Sequence, residues 1–437
     1  MITELDLLRL EGLWSEGVEE VDGVIYVHAR FTDPEAPTCR CGAPDVVKHG
    51  KRTVDFRDVP IQRQKTYVRI TRQRFRCRGC GAVLLQELDC LDSNRLMTTR
   101  FRRQLEQDGV DMKFAVAARI SGVNDTLVRR VFKEYASERL SNYTFELPRV
   151  LGMDEKVLGG KPRFVIGDIE KRCLLDILLS RKQTDLIPYF MEMSGRQNVE
   201  VITQDMYWGY KTVNEECFPR AAIVVDRFHV VRYADWAVTS VRKSIQAKLA
   251  NEDRIAMKKR ISLLQARTER LNDSGMWELN RIFKQHPAIE QAVTLKEWFH
   301  DIYKCGTRAE AEKAYTAWVE LIPPEMERHF TPILSFMRQK RWRKFIFNYF
   351  DHRYTNGYVE AVNGLLDEIS RAGRGYDLET LRAKALLKYG NVVPLIDKYA
   401  YSLRPGDPES DLILATTVGH GVDLSTFEHD LRTGAFW

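Results

Sequence analysis

The spacing of hydrophobic positions changes its period along the chain, and each change predicts a different kind of element. Loose alternation of apolar and polar residues over 24–29 predicts paired strands in a small N-terminal β module. From Met97 the apolar positions recur at helical spacing, and the candidate helices cover 98–105, 114–120 and 124–132. A short helix, a glycine-containing turn, a polar N-cap and an arginine-bearing second helix predict a helix-turn-helix. An ordinary helical hairpin that joins two domains would give the same pattern.

Residues 150–230 alternate between strand and helix patterns. Strands are predicted over 150–157, 164–170, 173–179, 199–205 and 221–226, with helices over 184–193 and 207–216. Three strands in series, followed by alternating helix and strand, is the element order of an RNase H-like sheet, in which the first and fourth strands lie side by side. Residues 230–350 are rich in Ala, Leu, Glu, Lys and Arg, with aromatic residues at helical spacing, which predicts an all-α insertion.

Composition places the chain among globular proteins of several domains. Apolar residues make up 44% and charged residues 29% of the 437 residues, and a chain of this length is expected to form two to four domains. No apolar run approaches the ~18–20 residues that span a bilayer. Met1–Leu13 lacks the pattern of a signal peptide. We therefore expect a cytoplasmic location, no membrane contact, and cysteines that are reduced or bind metal.

Two pairs of cysteines bracket a basic stretch. Four thiolates in two tight pairs, Cys39 with Cys41 and Cys77 with Cys80, can complete a tetrahedral Zn²⁺ site that holds a short module together. Four reduced cysteines without a metal would be the alternative, and Cys90 or His49 could replace one of these ligands.

The basic stretch predicts a surface that binds DNA. Between Lys48 and Arg78 there are eleven Lys or Arg residues but only two acidic residues, in a chain whose net charge is only +6. A solvated strand surface is the alternative. The candidate DNA contacts in this stretch are Arg63, Lys65, Arg69, Arg72 and Arg74, joined by Arg129 and Arg130 in the second helix of the candidate helix-turn-helix. A further basic run at 338–344, which includes Arg341, is equally consistent with a phosphate contact and with a solvated helix face.

Three carboxylates stand in positions that suit a site for two metal ions. Asp154 and Asp205 end predicted strands, and Glu360 lies in a predicted helix. Mg²⁺ prefers hard oxygen ligands, and a pair of such ions can hold the attacking and leaving oxygens of a phosphodiester. Asp226 competes with Asp205 for the second position. We favour Asp205 because β-prone residues precede it and a helix can begin directly after it, which leaves Asp226 and His229 in supporting roles.

The helix that carries Glu360 has a polar face. Asn356, Glu360, Asn363 and Asp367 recur at spacings of four, three and four residues, so they share one side of the helix. We expect the two amides, Asn356 and Asn363, to orient Glu360 as supporting groups. A solvent-exposed polar stripe is the alternative.

Several segments resemble one family of enzymes. They are the paired cysteines with the basic strand, the helix-turn-helix, and the runs at 152–155, 203–206, 225–230, 295–297, 354–363 and 371–376. Over roughly residues 35–390 the chain resembles the DDE transposases of bacterial insertion sequences, ISL3 type. It departs from the family at Cys39-Arg40-Cys41, where Cys-Pro-x-Cys is more usual. Arg371 and Arg374, in the last of these runs, join the candidate DNA contacts.

The resemblance implies a fold class, an activity and partners. The implied fold is multidomain α+β, with a zinc-ribbon-like β module, a helix-turn-helix and an RNase H-like α/β core interrupted by an all-α insertion. The expected boundaries are 1–94 for the β module, 95–148 for the helix-turn-helix, 149–232 and 351–398 for the core, 233–350 for the insertion and 399–437 for the tail.

The implied activity is Mg²⁺-dependent cleavage and strand transfer at the inverted repeats that end an insertion sequence. The resemblance carries the catalytic triad onto Asp154, Asp205 and Glu360. It also implies a homodimer in the synaptic complex, target DNA as a second substrate, a bacterial cytoplasmic location on the nucleoid, and no small-molecule substrate. A catalytically idle DNA-binding regulator, or a nuclease without strand transfer, would be the alternative.

Overall fold

The N-terminal module is a β-sheet built around one long ribbon. The computed structural model describes residues 8–32 and 35–392, so the predicted tail 399–437 lies outside the described residues. The strands are β1 (Leu13–Val21), β2 (Val24–Phe31), β3 (Val46–Ile61), β4 (Gln64–Cys77), β5 (Val83–Leu85), β6 (Leu91–Asp92) and β7 (Met97–Thr98). They lie in the order β1-β2-β4-β3-β7-β6, with β5 paired to β4. The antiparallel β3–β4 pair extends well beyond its neighbours and ends at the four cysteines.

Three helices follow the β module. They are α1 (Thr99–Asp111), α2 (Phe114–Ser121) and α3 (Asp125–Leu140). Gly122 takes a left-handed conformation (φ +64°) in the turn between α2 and α3, where glycine is favoured. Asn124 then accepts a hydrogen bond from the backbone of Leu127 at 2.7 Å, which caps α3 as its sequence predicts. Phe101, Phe114 and Phe132 fill a shared core between the three helices.

A second sheet of five strands forms the centre of the chain. Its strands are β8 (Val150–Leu158), β9 (Lys161–Asp168), β10 (Cys173–Leu178), β11 (Val201–Gln204) and β12 (Ala222–Val225), with α4 (Gln183–Glu192) and α5 (Trp208–Cys217) between them. The strand order is β10-β9-β8-β11-β12, and β8, β11 and β12 run parallel. The first and fourth strands of this series are therefore neighbours, as predicted.

The rest of the described chain is helical. The helices are α6 (Arg227–Gln246), α7 (Asn251–Lys259), α8 (Ile261–Gln265), α9 (Asp273–Gln285), α10 (Pro287–Asp301), α11 (Arg308–Glu320), α12 (Pro324–Arg338), α13 (Lys340–His352), α14 (Gly357–Gly373) and α15 (Leu378–Tyr389). α10 and α12 pack on α6, and α14 packs on β8. The fold is thus mixed α+β, with a cysteine-bearing β module first and a helical region last. Within the described residues, none of the helices has the length and apolar character needed to cross a membrane.

Candidate functional site

Carboxylates from three neighbouring strands and one helix meet at one edge of the central sheet. Asp154 lies in β8, Asp205 directly follows β11 and Asp226 directly follows β12. Parallel strands end at the same edge of the sheet. Because Gln204 pairs with Val225, the residues that follow them, Asp205 and Asp226, lie at the same level. Glu360 joins them from the first turn of α14. The predicted convergence of Asp154, Asp205 and Glu360 is present, and Asp226 lies with them.

His229 lies between the carboxylates. Its Nε2 atom is 2.7 Å from Asp205 Oδ1 and 3.4 Å from Glu360 Oε1, so one ring nitrogen faces two acids. Burial alone would lower the pKa of His229, but these contacts, with the charges of Asp205 and Asp226, raise it to about 10. The ring is therefore positively charged at neutral pH and offsets part of the charge that the carboxylates bring together.

The electrostatics of the site suit a cation. Burial, followed by the charge of Asp205, raises the pKa of Asp154 to about 7. Burial, followed by the charge of Glu360, does the same for Asp226, which is fully buried. Hydrogen bonding to His229 instead lowers the pKa of Glu360. Crowded acids of this kind are stabilised in their ionised form when a divalent ion binds between them.

Two groups of ligand atoms at this edge have the spacing of a metal site. One comprises Asp154, Asp205 and His229, and the other comprises Asp226, His229 and Glu360, with the ligand atoms of each group within 4.8 Å of one another. Among the described residues, Asp226 Oδ2 is buried without a hydrogen-bond partner, whereas Asp205 Oδ1 has the ring of His229 beside it. Buried acceptors are normally satisfied, so Asp226 Oδ2 is an oxygen that a hard cation would bind.

The supporting amides do not act as predicted. Asn356 is fully buried, donates through Nδ2 to the carbonyl of Met153 (2.9 Å) and accepts a hydrogen bond from the hydroxyl of Thr203 (2.9 Å). Asn363 donates to Asp154 Oδ2 at 2.7 Å. The expectation that both amides orient Glu360 is therefore wrong. α14 lies directly against β8, so its amides face the strands, and they fix the helix and Asp154 instead.

Thr203 was not identified from the sequence. It is fully buried in β11, and its hydroxyl joins that strand to the residue that precedes α14. It lies in β11 two residues before Asp205, which directly follows the strand, so period-two alternation predicts that both side chains leave the same face. That spacing is the signal that could have identified it.

The four cysteines form one cluster. The sulfurs of Cys39 and Cys80 are 3.5 Å apart, as are those of Cys41 and Cys77, and all four lie within 4.8 Å of one another. A tetrahedral site with Zn–S bonds of ~2.3 Å requires sulfurs roughly 3.8 Å apart, so the cluster fits zinc. The backbone amide of Cys80 is the main cause of a pKa lowered to about 7 at Cys77, which favours the thiolate that a metal needs.

Cys90, one of the proposed substitute ligands, lies outside this cluster. Its thiol donates to the carbonyl of Glu11 at 3.2 Å, and burial raises its pKa to about 11.

The predicted DNA contacts divide into exposed and occupied side chains. Those exposed to solvent are Arg63, Lys65, Arg130, Arg341, Arg371 and Arg374. Arg69 forms two hydrogen bonds to Asp55 (2.8 and 2.9 Å), and the Arg129 guanidinium lies 5.2 Å from the ring of Phe114. Arg72 is 3% exposed and donates to the carbonyl of Gln86, so its guanidinium faces inward. Arg74 is partly buried and donates to the carbonyl of His49.

Sequence comparisons agree with this architecture. The profile of a transposase family, ISL3 type, matches residues 151–385, and that of the zinc finger of the IS204, IS1001, IS1096 and IS1165 transposases matches residues 36–80. The chain belongs to the ISL3 family of transposases, and the predicted resemblance is confirmed. One similar protein is the transposase for insertion sequence element IS1001 of Bordetella parapertussis, 23% identical over 347 residues, which are 77% of this chain and 84% of that protein. The zinc-finger match and the cysteine cluster together support a structural zinc ion.

Proposed function

We propose that this protein is a DDE transposase that binds the terminal inverted repeats of an insertion sequence and cleaves and rejoins DNA with Mg²⁺. The observation that carries the proposal is the meeting of four carboxylates at one sheet edge in a chain of the ISL3 transposase family. The strand order supports an RNase H-like core formed by residues 149–232 and 351–398. The helices between β12 and α14 form the proposed insertion, whose expected bounds, 233–350, fall within α6 (Arg227–Gln246) and α13 (Lys340–His352).

We assign Asp154, Asp205 and Glu360 as the ligands of two Mg²⁺ ions, with Asp226 as a further carboxylate of the same site. When bound, such ions activate the attacking oxygen and stabilise the leaving 3′-oxygen of the DNA strand. The attacking group is water in cleavage and a DNA 3′-hydroxyl in strand transfer. Neither step requires a covalent bond between protein and DNA.

The remaining polar residues of the site hold the ligands in place. Asn363 donates to Asp154 Oδ2, and the backbone amide of Glu155 donates to Asp154 Oδ1 at 2.7 Å, so both oxygens are oriented while each keeps a lone pair for a metal ion. Protonated His229 faces both Asp205 and Glu360, so it keeps these two carboxylates close together before an ion binds. Asn356 ties α14 to β8 and β11, which sets the position of Glu360 relative to the aspartates.

DNA binding is assigned to the N-terminal modules. We propose that α2 and α3 form the helix-turn-helix, with exposed Arg130 on the second helix. The β3–β4 ribbon, with Arg63 and Lys65 at its tip, contacts phosphates nearby. The proposed DNA set keeps the exposed side chains and leaves Arg72 in a structural role. We also propose assembly as a homodimer on paired ends, which the family resemblance implies.

The test is a cleavage assay with DNA that carries the element's own ends, in Mg²⁺, comparing wild type with Glu360→Gln. The same substitution at exposed Glu368, two turns further along α14, is the matched control. We expect end-specific nicking by the wild type and by Glu368→Gln, and none by Glu360→Gln, while all three bind the ends equally.

The other outcomes distinguish the alternatives. Tight end binding with no cleavage by any protein would establish the idle regulator. Cleavage without joining of a supplied 3′-hydroxyl end would establish the nuclease. Equal cleavage by Glu360→Gln would remove Glu360 from the site. If Asp226→Asn abolishes cleavage while Asp205→Asn does not, then Asp226 is the second ligand.

A further inference from the structure

A lysine lies beside the carboxylate site on the same face of β8. Lys156 follows Asp154 by two residues, so the two side chains leave the same face with their Cα atoms about 6.6 Å apart. Their contacts confirm that both side chains face α14. Asp154 accepts a hydrogen bond from Asn363 of that helix, and Lys156 Nζ lies 2.5 Å from Oδ2 of Asp367, one turn further along it. Glu155, between them, instead pairs with Arg181 in the segment that follows β10. The ammonium group of Lys156 is therefore the next side chain along the strand from a proposed catalytic carboxylate.

The ammonium group of Lys156 is accessible to solvent, and Asp367 accepts only one of its hydrogen-bond donors. The side chain of Lys156 is 20% exposed and that of Asp367 is 39% exposed, so solvent reaches the pair. A lysine ammonium has three N–H donors, and Asp367 accepts one of them. The other donors are left for water or for an anion that approaches along β8.

A cation at this place would favour the entry of DNA into the proposed site. Divalent ions can offset the charge at the reacting phosphate, but the neighbouring phosphates of the same strand bring further negative charge towards Asp154 and Glu360. Lysine is a flexible point charge suited to a phosphate contact. Asp367 is an anion that already holds Lys156, so it competes with any phosphate for the same group.

We propose that Lys156 contacts a phosphate of the cleaved strand next to the reacting phosphate, and that Asp367 holds Lys156 in position until DNA replaces it. The inference rests on the proposed function, since it requires DNA to lie across this edge of the sheet. It makes Lys156 a positioning residue that raises affinity for DNA and Asp367 a residue that lowers it. A simple tether between β8 and α14 would make the two residues act in the same direction.

The experiment measures DNA binding without Mg²⁺ over a series of salt concentrations. The probe is a duplex copied from the DNA that flanks the coding sequence, and the proteins are full-length wild type, Lys156→Met, Lys156→Arg and Asp367→Asn. Lys156→Met should weaken binding and flatten the slope of log K against log salt by about 0.9, the value for one duplex phosphate contact. Lys156→Arg should keep the slope. Asp367→Asn should bind about 5-fold more tightly, as expected when one exposed ion-pair partner is removed.

A matched control removes the same charge from the opposite end of the sheet. Lys171 is exposed in the turn between β9 and β10. This turn lies beside the start of β8, because Asp168, three residues before Lys171, pairs with Leu151. Lys171→Met should leave the slope unchanged. Equal effects of Lys156→Met and Lys171→Met would overturn the inference, as would weaker binding by Asp367→Asn. Because Asp367→Asn is expected to gain affinity, misfolding of a variant cannot imitate the result.

Cleavage in Mg²⁺ separates this inference from the proposed function. Lys156→Met should raise KM for DNA more than it lowers kcat, because the contact forms when DNA binds. If the wild type binds but does not cleave, the proposed function fails while the salt dependence still tests Lys156. If the wild type cleaves and Lys156→Met binds like it, only the lysine inference fails. A wild type that binds no DNA would overturn both.

Discussion

Gly152 allows the helix that carries Glu360 to lie directly on β8, and Gly152→Ala tests that close approach. A Cβ atom at position 152 would lie 2.5 Å from Ile169 Cδ1, 2.7 Å from Val359 Cγ2 and 3.1 Å from Asn356 Oδ1. The first two distances are far shorter than ordinary carbon contacts. Val359 and Asn356 belong to the start of α14, so the added methyl group pushes against the part of the helix that places Glu360.

The expected cost has two opposing parts. Overpacking a well-filled core typically costs ~1–3 kcal/mol. Replacing glycine by alanine restricts the unfolded chain and returns about 0.4–1 kcal/mol. The net loss of stability should therefore be roughly 0–2.6 kcal/mol, which is too small to unfold a typical domain. The effect on catalysis should be larger, because a shift of ~1 Å in a catalytic group can reduce the rate by ~100-fold.

The assay compares thermal unfolding and Mg²⁺-dependent cleavage of end DNA for wild type, Gly152→Ala and Gly364→Ala. Gly364 is the control because it is exposed in the same helix and an added Cβ atom there meets nothing within 4 Å. Gly364→Ala should stabilise the protein slightly, since alanine favours helix over glycine. Gly152→Ala should bind DNA normally and lose most cleavage. Cleavage by Gly152→Ala that equals the control would refute the idea that α14 must contact β8 this closely.

Two further predictions concern the cysteine module and the contact of α15 with the end of α1. Removing zinc with a chelator should unfold the cysteine module and weaken DNA binding. Cys77→Ser should have the same effect, and Cys90→Ser should not. Melting curves and binding titrations measure both effects. Lys384 is buried and donates to the carbonyl of Met112 at 2.9 Å and to those of Gly109 and Val110, so Lys384→Met should lower stability by ~1–3 kcal/mol. Burial lowers the pKa of Lys384 to about 8. An unfolded lysine has a pKa near 10.4, so between pH 8 and 10 the unfolded chain binds more protons at this residue than the folded chain. The free energy of unfolding of the wild type should therefore rise with pH over that window, and Lys384→Met should lack this rise.

Elements of regular period could be predicted from the sequence. The predicted strand 221–226 and the observed β12 differ by one residue at each end, because a short apolar run between polar neighbours has few alternatives. The helix predicted over 124–132 continues to Leu140, since good helix formers follow without a glycine or proline. Local pattern thus determines that an element exists, while its end depends on packing against the rest of the chain.

Side-chain partners were harder to predict because they depend on neighbours that are distant in sequence. Arg69 and Arg72 look alike in the basic stretch. The cross-strand register, however, sets Arg69 opposite Asp55, and Arg72 turns towards the carbonyl of Gln86. Helical spacing correctly predicts that Asn356 and Asn363 lie on one face of α14. It cannot show that the acceptors of their hydrogen bonds belong to β8. Those contacts join residues about 200 positions apart, as Asn363 and Asp154 illustrate.

The choice between Asp205 and Asp226 shows where topology limits inference from sequence. Both residues follow short buried strands, both strands run parallel, and their registers end at the same level, so each aspartate reaches the same edge. β11 lies next to β8 and β12 lies one strand further out, which places Asp205 nearer the first carboxylate. Glu360 then reaches Asp226 from α14, and His229 contacts the acids on both sides. The charged ring of His229 therefore lies between Asp205 on one side and Glu360 with Asp226 on the other, so the choice of the second ligand depends on the folded site and on neither strand alone.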